Sequence, residues 1–181
     1  VCEKLEKRIS LGAVHVDTGE FTVFDQPNTY FTDMVQAAVS SSSIPGVFPP
    51  HVWHDGRGTF MDGGTVYNTN VNSAILQCLD IVDDESKITI DVFVCDAADD
   101  VPIPEDPTSK TISNILRSQS ISQAYSGVNN LSDAMRAHPN INYRYLVYQD
   151  ENKASGISEI EFDGEKTWIL QTTGRNDAQE A

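Results

Sequence analysis

The run from Ile88 to Cys95 most constrains what this chain can fold into, because six of its eight residues are apolar. A strand with one solvated face alternates apolar and polar residues, whereas a strand covered on both faces is apolar at most positions. The run is therefore predicted to be a buried strand in the interior of a sheet. Such strands are typical of proteins in which helices cover both faces of a mostly parallel sheet. The sequence thus predicts an α/β sandwich.

Local signals in the first part of the chain predict a hairpin and a helix. Two β-rich runs within residues 11–25 are separated by the turn-forming residues Asp17 to Glu20, a pattern typical of a hairpin. From Phe31 to about Ser41 the apolar residues recur near helical spacing, which predicts a helix. Thr32 or Asp33 is predicted to cap its N-terminus.

The middle of the chain predicts a strand, a turn and a helix in succession. Thr59 to Met61 is predicted to be a short strand that ends in Asp62-Gly63-Gly64, and Asn72 to about Leu79 is predicted to be the following helix. The rest of the chain predicts an exposed acidic loop at Val101–Pro107, a helical region at Thr111–Ala137 interrupted near Ser126-Gly127, and strands at Asn142–Tyr148 and Glu159–Phe162.

The composition argues against several classes of protein. Twelve basic residues against 27 acidic ones give a net charge of −15, which repels the phosphates of nucleic acids and of anionic lipids. Three widely spaced cysteines offer no disulfide framework or zinc motif, which favours a reducing, cytoplasmic setting. No stretch approaches the roughly 20 apolar residues that a membrane span needs. Because of its net negative charge, we expect the chain to have no nucleic-acid partner.

Two neighbouring motifs are the most informative part of the sequence. Residues 37–50 read AAVSSSSIPGVFPP, and residues 60–68 read FMDGGTVYN. In order and spacing they resemble the patatin-like phospholipase family, which carries a serine-rich helix end, Ile-Pro-Gly, Phe-Pro-Pro and then Asp-Gly-Gly. The similarity extends from Thr18-Gly19 to Gly174 and Asp177-Ala178. It implies a patatin-like sandwich with a mainly parallel central sheet flanked by helices. Residues 1–181 would be the C-terminal portion of one such domain, lacking its N-terminal strands.

The resemblance also assigns roles to individual residues. Asp62 matches the catalytic aspartate of the family, which takes the proton of a serine hydroxyl directly as that oxygen attacks an ester carbonyl. Gly63 and Gly64 match the glycines beside it, and Asn68 matches an asparagine that is expected to hold the loop. Where the family usually has a proline two positions later, this chain has Asn70. Taken alone, Asp-Gly-Gly would be better explained by a tight turn, and the Ser-Ile-Pro-Gly and Phe-Pro-Pro motifs before it reverse that preference.

The serine that Asp62 would activate is not among these residues. No serine of the chain has glycine at both the second position before it and the second position after it, and Ser158 comes nearest, with Gly156 but also Ile160. The glycine-rich loop that would stabilise the oxyanion is missing as well. We expect both elements to lie upstream of Val1. A non-catalytic relative that serves as a subunit or binding module is the alternative.

Other candidate residues have simpler explanations. The serines at 40–43 have no histidine or lysine nearby in sequence, so packing explains them better than nucleophilic attack. His51 and His54 lack a third metal ligand nearby, and they are predicted to be surface loop residues. The resemblance implies a lipid ester substrate, transient contact with a membrane surface, and no metal or other cofactor, calcium included.

Overall fold

The computed structural model describes residues 8–25, 29–97, 111–149 and 163–180. Its strands are β1 (Ser10–His15), β2 (Phe21–Asp25), β3 (His51–Trp53), β4 (Gly58–Asp62), β5 (Thr89–Ala97) and β6 (Asn142–Gln149). Its helices are α1 (Phe31–Ser41), α2 (Val71–Leu79), α3 (Thr111–Ala137) and α4 (Gly164–Glu180), with short 3-10 turns at Gly63–Thr65 and Glu85–Lys87. Among the described residues, no helix is long and apolar enough to cross a bilayer.

The described residues divide into two compact units. One contains the residues up to Thr89 together with Ser126–Asn142, and the other contains Ile90–Tyr125 together with Tyr143 onward. The candidate site lies wholly in the first unit.

The first unit is built on a four-stranded antiparallel sheet in the order β2-β1-β4-β3. The hairpin of β1 and β2 confirms the prediction for residues 11–25, and Gly19 supplies the positive φ of +70° that its turn requires. The pairing of Ala13 with Asp62 fixes the end of β4 against the middle of β1.

Helix α1 packs on one face of this sheet and closes a hydrophobic core. Residues paired directly across antiparallel strands share a face, so β1, β2, β3 and β4 each present apolar side chains to the same helix. Rings of the core stack or meet edge to face at 5.1 to 5.8 Å between centroids. The cluster consists of Ala13, Phe24, Met34, Ala37, Trp53 and Phe60.

The bounds predicted for α1 are confirmed, but the predicted cap is wrong. The N-cap is Tyr30, which makes no side-chain capping bond, and Thr32 and Asp33 lie inside the first turn. Asp33 instead forms an ion pair with Arg57, 2.9 Å from oxygen to nitrogen. Asp33, which the sequence pattern predicts as a cap, is therefore engaged by Arg57 from a distant part of the chain.

Strands β5 and β6 confirm the α/β class and form a parallel two-stranded sheet. Burial along β5 alternates, since Ile90 and Val92 are buried whereas Phe93 is 72% exposed. The predicted strand is thus present, but a place for it in the interior of a sheet is not confirmed. The described strands also do not confirm a mainly parallel central sheet, because β1 to β4 pair only antiparallel.

Helix α3 is continuous through Ser126 and Gly127, so the predicted interruption there is wrong. A glycine inside a helix costs about 1 kcal/mol relative to alanine, and it persists where packing needs the space. Here the two small residues face the loop beside Asp62. The predicted loop at Val101–Pro107 and the predicted strand at Glu159–Phe162 lie outside the described residues.

Candidate active site around Asp62

Asp62 is the last residue of β4, at the point where the chain leaves the sheet. Its amide donates a hydrogen bond to the carbonyl of Ser43, 3.0 Å away, in the turn that follows α1. On the neighbouring strand it is paired with Ala13, which is fully buried. The backbone of Asp62 is therefore held from two sides, which fixes the direction in which its side chain can point.

The carboxylate of Asp62 is half-buried and has a single described hydrogen-bond donor. Its Oδ1 accepts from the amide of Gly64 at 2.7 Å. Burial raises the pKa of Asp62 above its ordinary value, and the bond from Gly64 offsets part of that rise. A partly desolvated carboxylate with a raised pKa is a better proton acceptor than a fully solvated one.

Gly63 and Gly64 are required here for different reasons. A Cβ atom on Gly63 would lie 2.4 Å from the carbonyl oxygen of Gly12, which is backbone of β1 and cannot turn away. A Cβ atom on Gly64 would lie 3.1 Å from Oδ1 of Asp62 and 3.0 Å from Oδ1 of Asn68. Gly63 thus lets the turn pass close to the sheet, and Gly64 lets the aspartate and asparagine side chains share one small space.

The loop that carries Asn68 begins in the 3-10 turn at Gly63–Thr65. The amides of Val66 and Tyr67 both donate to the carbonyl of Gly63, at 3.0 and 2.9 Å. The ring of Tyr67 meets the ring of Phe21 on β2 edge to face, with 4.9 Å between centroids. These contacts place the side chain of Asn68 beside Gly64. The expected role of Asn68 in holding this loop fits that position and stays a prediction.

Asn70 has a local role that explains why it can stand where the family usually has proline. It is the N-cap of α2, and its Oδ1 accepts from the amide of Ser73 at 3.3 Å. Its side-chain nitrogen also donates to the hydroxyl of Ser73. The loop is therefore stiffened by a capping interaction rather than by a proline ring.

The serines at 40–43, at the C-terminal end of α1, make structural hydrogen bonds. Ser40 is fully buried, and its Oγ accepts from the indole nitrogen of Trp53 at 2.9 Å. The hydroxyls of Ser42 and Ser43 donate to backbone carbonyls of α1, at 2.9 and 2.8 Å. None of these three hydroxyls is paired with a base, which agrees with the packing role that the sequence indicates for them.

Replacing Ser40 by alanine should therefore lower stability without abolishing catalysis. The change leaves the buried indole N–H of Trp53 without an acceptor, which costs about 1–3 kcal/mol. Chemical denaturation of Ser40→Ala would measure that loss. Ser42→Ala is the control, since its exposed hydroxyl leaves no buried donor behind. A folded Ser40→Ala protein that had lost all ester hydrolysis would contradict the structural role and indicate that Ser40 is a nucleophile.

The two histidines do not form a metal site. His51 lies in β3 rather than in a loop, and its Nε2 lies 2.7 Å from Oε1 of Gln36, so its prediction as a loop residue is wrong. His54 is exposed in the turn that follows, as predicted. Within the part of the chain that the structure describes, no three His, Cys, Asp or Glu side chains are placed to hold a metal ion.

Sequence reasoning missed the contribution of α3 to this region. Ser126 and Asn130 extend hydrogen bonds toward the loop after Asp62, and Gly127 packs against it. The signal in the sequence was the Ser-Gly pair within a helical pattern. This pair marks a close contact with another segment rather than the predicted helix break.

Residues 3–75 match the model of the patatin-like phospholipase family. This match supports the resemblance for that stretch of the chain, which contains Asp62, Gly63, Gly64 and Asn68. The similarity suggested near Gly174 lies beyond the match and stays a prediction.

A relative in Escherichia coli (strain TW11681), a cGAMP-activated phospholipase, is 37% identical over 70 residues. The match covers 35% of this chain and 20% of that protein, so the chain spans about a fifth of the relative's length. No solved structure matches the chain.

Proposed function

We propose that this chain supplies the general base of a lipid acyl hydrolase that works by a serine and aspartate dyad. The observation that carries the proposal is the half-buried carboxylate of Asp62 at the end of β4, inside the segment that matches the phospholipase family. The raised pKa of Asp62 and its glycine-lined surroundings support a role in proton transfer.

The proposed reaction has two halves, and Asp62 moves a proton in each. In the first, Asp62 takes the hydroxyl proton of a serine as the serine oxygen attacks the ester carbonyl, and the proton then passes to the departing alcohol. In the second, Asp62 takes a proton from water as the water oxygen attacks the acyl-serine; the bond to the serine oxygen then breaks, the fatty acid is released, and Asp62 returns the proton to that oxygen. The carboxylate is regenerated, so the dyad needs no metal or other cofactor.

The nucleophile is proposed to come from an upstream half of the same domain. No serine among the 181 residues lies between glycines at the second position on either side, whereas such a nucleophile elbow is what exposes a serine at a strand end. The proposed upstream half would also supply the strands of a mainly parallel central sheet, of which residues 1–181 form the C-terminal portion.

The proposed substrate is a lipid ester such as a phospholipid or a galactolipid. The name of the bacterial relative supports the phospholipid class for that protein, and we extend it to this chain as part of the proposal. Transient binding to a membrane surface is proposed with it. Because the net charge of −15 repels anionic surfaces, we expect neutral or zwitterionic lipids to be favoured.

The experiment is to treat the full-length protein with a fluorophosphonate, which labels activated serines, and to assay phosphatidylcholine in mixed micelles. We expect hydrolysis, inhibition by the label, and a single labelled serine outside residues 1–181. Labelling of Ser40, Ser42 or Ser43 would contradict the proposed dyad. A protein that neither reacts with the label nor hydrolyses lipid would instead support the alternative, a non-catalytic subunit or binding module.

A further inference from the structure

Helix α3 is joined to the loop that follows Asp62 by two side-chain hydrogen bonds in series. The hydroxyl of Ser126 donates to the carbonyl of Val66 at 3.1 Å. One helical turn later, the side-chain nitrogen of Asn130 donates to Oγ of Ser126 at 3.2 Å. The hydroxyl of Ser126 thus accepts from Asn130 and donates to the loop, so it links the two.

Gly127 brings the helix into direct contact with the same loop. It is buried, and a Cβ atom at this position would lie 3.3 Å from Oγ1 of Thr69 and 4.0 Å from the side-chain nitrogen of Asn68. Even an alanine Cβ would require Oγ1 of Thr69 to shift by a few tenths of an ångström, and a larger side chain would press harder on the loop. The two adjacent small residues therefore hold successive parts of the loop, one by a hydrogen bond and one by close packing.

The loop that α3 contacts is connected to the carboxylate of Asp62 by hydrogen bonds. Val66 and Tyr67 are tied back to the carbonyl of Gly63, and the amide of Gly64 donates to Oδ1 of Asp62. Asn68 approaches Gly64 from the other side. A shift of the loop would therefore change both the direction of the Gly64 amide and the space around the carboxylate.

We propose that Ser126, Gly127 and Asn130 of α3 are positioning residues for Asp62, acting through the loop at residues 66–69. This inference rests on the proposed function for its kinetic consequences, but not for its structural ones. It assigns a role in the site to a helix about 60 residues beyond the catalytic motif, outside the segment that matches the family.

Two variants of the full-length protein test the proposal, each with a matched control on α3. Ser126→Ala removes the bond to Val66 while improving helix propensity, so a loss of activity would not come from a weaker helix. Ser122→Ala, on an exposed residue one turn earlier, is its control. Asn130→Ala removes the second of the two hydrogen bonds, and exposed Asn129→Ala is its control.

We expect Ser126→Ala and Asn130→Ala to lower kcat on a soluble p-nitrophenyl ester by roughly 2- to 10-fold, the range for losing one ordinary hydrogen bond, with little change in KM. In the pH profile of kcat/KM, the rise on the acidic side should move to higher pH. A weaker hydrogen bond from the Gly64 amide would lower the pKa of Asp62 less strongly. A residue that merely stabilised the fold would not move that rise.

Gly127→Val should have a larger effect, which Thr69→Ala should partly reverse. The new side chain collides with Oγ1 of Thr69, and removing that oxygen restores part of the space. Rescue in the double variant would assign the loss to this contact. If Thr69→Ala gave no rescue and both hydrogen-bond variants kept the wild-type kinetics and pH profile, the proposal would be overturned.

Hydrogen exchange separates this inference from the proposed function. We expect the amides of residues 63–69 to exchange faster in Ser126→Ala than in Ser122→Ala, whether or not the protein hydrolyses esters. Faster exchange in a protein without hydrolase activity would refute the proposed function and keep the loop contact. Unchanged exchange in an active enzyme would refute the positioning role alone.

Discussion

Asp62→Asn is expected to reduce ester hydrolysis by the full-length protein by about 100- to 10,000-fold, the usual contribution of a general base. Asparagine has the shape of aspartate, and its side-chain oxygen can still accept from the amide of Gly64. It cannot take up a proton at neutral pH. Steady-state rates on phosphatidylcholine micelles and on a soluble ester would measure the loss, which should fall on kcat rather than on KM.

The same substitution should leave the fold at least as stable as before at neutral pH. Burial raises the pKa of Asp62 in the folded state, so the folded protein binds the proton more tightly than the unfolded chain does. The ionised carboxylate therefore disfavours folding, and this cost appears as pH rises through the folded pKa. Asp62→Asn removes the cost at neutral pH, and the difference should vanish below the unfolded pKa of an ordinary aspartate.

Asp55→Asn is the matched control for the loss of activity. Asp55 lies in the turn between β3 and β4, exposed and paired with Arg57, and such exposed ion pairs contribute little to stability. We expect it to keep near-normal rates. A folded Asp62→Asn enzyme that hydrolysed ester as fast as Asp55→Asn would rule out base catalysis by Asp62.

Short-range signals in the sequence predicted the part of the fold that carries the site. The bounds of α1, the hairpin of β1 and β2, and the strand that ends in Asp62 each depend on turn residues and periodicity within about 15 residues. The motif around Asp62 could be located in the same way, because its glycines stand next to the aspartate in sequence. Their separate reasons, backbone approach at Gly63 and side-chain crowding at Gly64, needed coordinates.

Features that depend on distant segments could not be predicted. The ion pair of Asp33 with Arg57 joins a helix to a turn more than 20 residues away, so the apparent capping residue had another partner. The contact of Ser126 with Val66 joins residues 60 apart, and no local pattern encodes it. Six apolar residues in β5 suggested burial on both faces, but burial depends on which segments cover a strand, and Phe93 is exposed.

Gly63→Ala and Gly64→Ala are expected to fail in different ways, although the residues are adjacent and the change is the same. At Gly63 the new methyl group meets the backbone of Gly12 at 2.4 Å, so β1 and the turn must separate. Such overpacking costs about 1–3 kcal/mol, and chemical denaturation should show it. At Gly64 the methyl group meets only the ends of the Asp62 and Asn68 side chains, which can move, so stability should change little.

Activity should fall in both variants, but for Gly64→Ala it should fall in a protein that remains fully folded. Displacing a reacting group by about 1 Å can cost roughly 100-fold, and a methyl group 3.1 Å from Oδ1 requires the Asp62 carboxylate to shift by a fraction of that distance, so we expect a loss below that figure. Gly174→Ala in α4 is the control, because a Cβ atom there meets nothing within 4 Å and alanine favours a helix. Equal activity in Gly64→Ala and Gly174→Ala would show that the position of the Asp62 carboxylate does not matter to the reaction, and the proposed dyad would then fail.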